Sequence, residues 1–185
     1  MKVWIFGDSF STNTSEHSWT LMVANALNAE LHCLSQNGIS EYRIYKIFME
    51  YKAQFDKSDV IIVCHTNPLR IFIPNHVNYP SRKKKSHPYC DLVMADASRY
   101  WLWRLISKIY VQFFFDEEYH QTQFNLFFEQ INKQNVINVS GFTTNSSIFS
   151  FNSIFTTNKG SINHMSIEGN KQVAYRILEK IYEIH

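Results

Sequence analysis

The run DVIIVCH, residues 59–65, decides the fold. A strand with one face in water alternates apolar and polar residues, whereas Val60 to Cys64 are apolar without a break. An uninterrupted run of this length fits a strand covered on both faces, the usual condition of a parallel sheet. On its N-terminal side the spacing predicts a strand over 2–6 and a helix over 15–28, with Trp19, Met22, Val23, Ala26 and Leu27 at helical intervals. A short strand follows over 30–34. Ser40 then reads as an N-cap, Ile39 and Ile44 as a hydrophobic staple, and Ile44, Ile47, Phe48 and Tyr51 as one helix face. The order β-α-β-α-β predicts right-handed crossovers and helices on both sides of the sheet, hence an α/β, three-layer α/β/α sandwich.

On the C-terminal side the pattern changes. All four prolines, at 68, 74, 80 and 88, fall in residues 68–88 together with the basic run Arg82 to Lys85. A loop that long in a compact domain is usually functional or disordered. Helical pattern resumes near Met94, breaks around 116–119 and runs to about Gln134; Trp101 and Trp103 read there as packing residues. Residues 135–140 read as a strand, 147–151 as a further short one, and about 166–182 as a closing helix striped by Val173, Ile177 and Ile181. The expectation is a single domain over 1–185 with a loop-and-helix insertion at about 68–133.

Composition narrows the class. Hydrophobic content of 45% with 18% charged residues belongs to a folded protein. The formal net charge of +2 gives no argument for nucleic acid, and the basic run reads as a solvated loop. Cys33, Cys64 and Cys90 have no metal-ligand spacing and suit a reducing compartment. The strand pattern starts at residue 2 with no leader pattern before it, and no apolar run approaches the ~20 residues that span a bilayer. The expectation is a cytoplasmic protein without a membrane span.

In open parallel sheets, ligands bind beyond the carboxyl ends of the strands. After the first predicted strand come Gly7, Asp8 and Ser9; after the second, Asn37 and Gly38; after the third, His65, Thr66 and Asn67. His164 stands just before the closing helix. A hydroxyl, an imidazole, a side-chain amide and a glycine N–H are thus directed to one rim. They are the parts of acyl transfer: a serine needs a base near neutral pH, and the oxyanion needs donors, each typically worth ~2.7–4 kcal/mol of barrier. Ser9 is the candidate nucleophile and His164 the candidate base. The N–H groups of Ser9 and Gly38 and the amide of Asn67 are the candidate oxyanion donors. Asp8 reads as the residue holding the nucleophile loop. Arg70 is a candidate contact to an anionic substrate or a cap of its own loop. His65 reads as a packing residue that could also intrude on the site as a substrate contact. The remaining histidines show no metal spacing, and no metal or organic cofactor is called for.

The four blocks GDSFS, SQNGIS, HTNP and NHMSIEGN, in this order from residue 7 to 170, resemble the SGNH (GDSL-type) hydrolase family. The resemblance implies a flavodoxin-like fold and a serine ester hydrolase that cleaves a small acyl ester, with O-acetyl groups on carbohydrates within the family's range. It implies that Ser9, Gly38, Asn67 and His164 carry the chemistry. Two departures stand out. The family usually has Gly before and Asp after the residues around Asn67. It also commonly has Asp three residues before its histidine, where this chain has Ser161, and no Asp or Glu occurs between Glu129 and Glu168. In a serine protease triad, replacing the acid by Asn cost ~10⁴ in rate. Ser161 or a backbone carbonyl could orient His164 as a dyad, a remote acid could reach it, or catalysis is weak. Two rival readings share the fold: a non-catalytic SGNH-like module that binds a glycan or protein partner, and a flavodoxin-like flavin site, suggested by the hydroxyls crowded in residues 9–15.

Overall fold

The computed structural model describes residues 1–13, 15–72, 105, 109–110, 112–132, 136–142, 148–160 and 164–184. Its strands are β1 (Lys2–Gly7), β2 (Glu30–Cys33), β3 (Val60–His65), β4 (Ile137–Ser140) and β5 (Phe149–Ser150). The helices are α1 (Trp19–Ala26), α2 (Glu41–Tyr51), α3 (Glu117–Asn132), α4 (Asn152–Thr157) and α5 (Ile167–Ile184). The five strands form one sheet in the order β2-β1-β3-β4-β5, every pair parallel. This is the doubly wound arrangement of flavodoxin-like folds. The strand order reverses between β1 and β3, and the crevice beyond their carboxyl ends is where ligands of such sheets sit.

Alternation along β1 divides the core in two. Val3 and Ile5 face α1 and α5, in a cluster with Val60, Ile62, Val139, Trp19, Val23, Val173 and Ile177. Trp4 and Phe6 face the other way, with Ile61 and Val63, against Ile44 and Phe48 of α2 and Ile131 of α3. All six residues of β3 are buried, as the apolar run requires. At the amino end of the sheet Asp59 accepts hydrogen bonds from the Lys2 N–H at 2.8 Å and Trp4 Nε1 at 2.9 Å, tying the start of β1 to that of β3.

Ser40 caps α2 by accepting from the Arg43 N–H, and Ile39 and Ile44 share one buried cluster. Helix α1 begins at Trp19, four residues later than its apolar spacing suggests. Its first N–H is satisfied from outside, by Asn170 Oδ1 of α5 at 3.0 Å, while Ser18 makes no side-chain cap bond. The break near 116 is the start of α3, where Asp116 Oδ1 accepts from the Tyr119 N–H. The expectations for residues 73–104, including the basic run, Cys90, Trp101 and Trp103, lie outside the described residues. Among the described residues no helix is long and apolar enough to cross a membrane.

Candidate functional site

The chain leaves β1 through Asp8 into a single 3-10 turn, Ser9–Ser11. Asp8 caps that turn: its Oδ1 accepts from the Phe10 N–H at 3.0 Å, and Oδ2 accepts from the Thr66 hydroxyl at 2.7 Å. Asp8 is fully buried. Burial pushes its carboxyl above the ordinary value, although the Arg70 charge and the Phe10 and Thr66 donors pull the other way. Ser11 Oγ reaches Ser35 Oγ at 2.9 Å, joining the turn to the segment after β2. Ser9 therefore rides on a turn held from beneath by β3 and from the side by the β2 loop.

Beyond β2 the backbone continues alongside β1, with the Gln36 N–H donating to Gly7 O at 3.0 Å. Gly38, two residues on, has φ 73°. This left-handed conformation costs glycine little and other residues more. At the end of β3, Asn67 closes a turn: its Oδ1 accepts from the Leu69 N–H at 2.9 Å and its carbonyl accepts from the Arg70 N–H at 3.1 Å. With the oxygen of the side chain so engaged, the amide nitrogen is the end left to donate elsewhere.

His164 enters from the opposite margin, on the segment leading into α5. Its carbonyl accepts from the Gly160 N–H at 2.6 Å, and its ring lies 5.6 Å from that of Phe10. Asn170 donates to the carbonyls of Met165 and Ser166, so the residue that caps α1 also steadies the segment after His164. Ser9 and His164 line one cleft of about 100 Å³, together with Phe10, Thr12, Ser15, Ser18, Met165 and Asn170. Its described lining contains no carboxylate. No hydrogen bond joins Ser9 and His164 among the described residues, a separation common in ligand-free sites, where such bonds tighten only with substrate. Gly38 and Asn67 do not line this cleft; they stand at the ends of the β2 and β3 loops. Ser161 lies outside the described residues.

Beneath the Asn67 turn is a polar cluster. His65 is 0% exposed, with Nδ1 2.6 Å from Glu41 Oε1 and Nε2 2.9 Å from Asn138 Oδ1. The edges of Phe124 and Phe128 close over the ring. Of the two readings of His65, packing residue or substrate contact, these contacts agree with the first and speak against the second: both ring nitrogens are spent and the ring is buried. Arg70 is turned inward as well. Its side chain is 11% exposed, its Nη1 donates to Ile39 O at 3.0 Å, and the same nitrogen lies 3.6 Å from Asp8. The guanidinium thus ties the Asn67 turn to the residue after Gly38, which leaves it little reach toward an anionic substrate. Burial lowers the affinity of His65 for its proton, but the Glu41 charge and the hydrogen bonds that the ring donates to Glu41 and Asn138 together hold it above the ordinary histidine value.

Glu41, Thr66 and Asn138 escape a reading of the sequence. Glu41 looks like an ordinary acid in the first turn of a helix, and Asn138 like a polar position in a short strand. The available signal was His65 itself: a histidine closing a wholly buried strand needs partners for both nitrogens. Among the described residues no three His, Cys, Asp or Glu side chains converge as a metal site.

No family model matches the sequence, and no curated protein matches it. The fold is similar to a solved structure described as a candidate lipolytic protein of the G-D-S-L family from Desulfitobacterium hafniense DCB-2. The two share 14% identity with a TM-score of 0.50, over 94% of this chain and 95% of that one. At that identity the likeness concerns the fold.

Proposed function

We propose that the protein is a serine acyl-ester hydrolase with Ser9 as nucleophile and His164 as base. The observation that carries this reading is the shared cleft: a serine on the β1 turn and a histidine ahead of α5 wall the same small cavity at the carboxyl edge of a parallel sheet. Ser9 Oγ attacks the ester carbonyl as His164 takes its proton. The N–H groups of Ser9 and Gly38 and the Asn67 amide hold the oxyanion. Collapse expels the alcohol, which takes the proton from His164. A water then gives a proton to His164 and attacks the acyl-Ser9, releasing the acid and the free serine. Asp8 holds the turn rather than reacting, since its buried carboxyl is committed to Phe10 and Thr66.

The volume favours a small acyl group. A cleft of about 100 Å³ is small beside the roughly 300–1,000 Å³ of pockets that take drug-sized ligands. An acetyl ester, including one on a carbohydrate, fits that size. On this reading His164 works as a Ser–His dyad, oriented by a hydroxyl or a backbone carbonyl, with a modest rate.

Incubation with a fluorophosphonate, followed by mapping of the modified peptide, tests the assignment. The expected adduct is on Ser9 and is lost in Ser9→Ala. An unmodified protein, under conditions that label known serine esterases, would favour a non-catalytic binding module. A series of p-nitrophenyl esters should show kcat/KM falling steeply beyond two to four acyl carbons.

A further inference from the structure

We propose that Glu41 is a positioning residue for the Asn67 donor, holding the Thr66–Asn67 segment through a buried charged pair with His65. The inference rests on the hydrolase reading for its catalytic consequence, but its structural content stands apart from it. Glu41 is the first residue of α2 and only 4% exposed. Both of its carboxylate oxygens are engaged. Oε1 meets His65 Nδ1 at 2.6 Å, and Oε2 accepts from the Thr66 N–H at 3.1 Å. Thr66 is also gripped from its other side, where its hydroxyl donates to Asp8 Oδ2. The residue immediately before Asn67 is therefore fixed at its backbone by α2 and at its side chain by the residue that caps the Ser9 turn. One network sets the Ser9 turn and the Asn67 turn relative to each other.

The proton count follows from the partners. Asn138 Nδ2 donates to Asn132 Oδ1 at 3.0 Å, so its Oδ1 is the atom facing His65, and Nε2 must carry a hydrogen. Nδ1 faces a carboxylate and carries the second. The groups around the ring are Glu41 from α2, Asn138 from β4, and the edges of Phe124 and Phe128 from α3, with Asp8 and Arg70 beyond Thr66. An apolar replacement of such a pair is often neutral or stabilising, so stability alone does not account for it. A carboxylate held by the imidazolium can hold the Thr66 N–H in one place, which an exposed or mobile acceptor cannot do.

The test uses the full chain in three forms. In the wild type, nitrogen NMR should show both His65 ring nitrogens protonated at neutral pH, and the Thr66 amide should be strongly protected from exchange. Glu41→Gln keeps an acceptor for Thr66 and offers an N–H to a now singly protonated ring; kcat for a short ester should stay within about tenfold. Glu41→Ala removes the acceptor. Its Thr66 protection should collapse, the Asn67 side-chain signals should shift, and kcat should fall ~10²-fold with KM nearly unchanged, as for loss of one oxyanion donor. A singly protonated wild-type ring, an unaltered Asn67 signal in Glu41→Ala, or equal losses in Gln and Ala would overturn the proposal. If Glu41→Ala fails to fold, the ring and Thr66 signals of Glu41→Gln decide it. Should the wild type hydrolyse no ester, the hydrolase reading fails while these signals still decide whether Glu41 positions the segment.

Discussion

Gly160→Ala reports on whether His164 is placed by the turn that precedes it. A Cβ at Gly160 would lie 2.6 Å from the Met165 carbonyl oxygen, 2.8 Å from its carbon and 2.9 Å from the His164 carbonyl oxygen. These are backbone atoms, which cannot rotate aside as a side chain can. Ordinary contact begins near 3.4 Å, so the segment must retreat by about 0.8 Å. The same movement stretches the bond from the Gly160 N–H to the His164 carbonyl, now 2.6 Å long. Overpacking of this kind typically costs ~1–3 kcal/mol of stability. A misplacement of ~1 Å in a catalytic group can cost ~10²-fold in rate. The expected result is a kcat lower by roughly that factor, measured well below the melting temperature, with the fold intact by circular dichroism and KM little changed. A variant within threefold of wild-type kcat would show that His164 is not the base, or that this turn does not place it.

Three further substitutions probe other parts of the molecule. Ser9→Ala should abolish labelling and lower ester turnover by ~10⁴-fold or more while leaving the melting temperature unchanged; retained turnover contradicts the nucleophile. Asp59→Ala strips the acceptor from Lys2 and Trp4 and should cost about 3 kcal/mol in urea titrations at pH 7. Burial opposes ionisation of Asp59, but the Trp4, Lys2 and Asp56 donors outweigh it and hold its carboxyl below the ordinary 3.8. Its stabilisation is therefore present above about pH 3.8 and lost as acid carries the pH through the lower folded value. The gap between wild type and Asp59→Ala should narrow there, and a gap independent of pH would refute the charged hydrogen bonds. Ser161→Asp restores an acid three residues before His164 and should raise kcat if His164 works as a dyad; a fall with the fold intact would mean that Ser161 already has a geometric role.

The layers of the sandwich were legible because each rests on local pattern. The unbroken apolar run of β3 signalled cover on both faces, and the Ser40 cap and the stripe through Val173, Ile177 and Ile181 marked their helices. The late start of α1 was not legible, since its cap is Asn170, 151 residues away. Ser9 and His164 were singled out from their local blocks, whereas for Glu41 no local pattern exists. Its partners His65 and Thr66 lie 24 and 25 residues on, in a different element, and nothing about an acid in the first turn of a helix indicates that it is buried. Of the two readings of Arg70, substrate contact or loop cap, its contacts to Ile39 and Asp8 fit the second, and neither partner is local in sequence.

The clasp that Asn170 makes between the first and last helices has a consequence for the newborn chain. Strand β1 and its serine leave the ribosome well before the imidazole of His164 and the amide that anchors its loop, which come some 155 residues later. At 5–20 residues per second that is a wait of roughly 8–30 s. Through that interval Ser9 has no imidazole beside it; on the proposed hydrolase reading a nascent chain cannot attack esters around it, and activity arrives only when α5 docks.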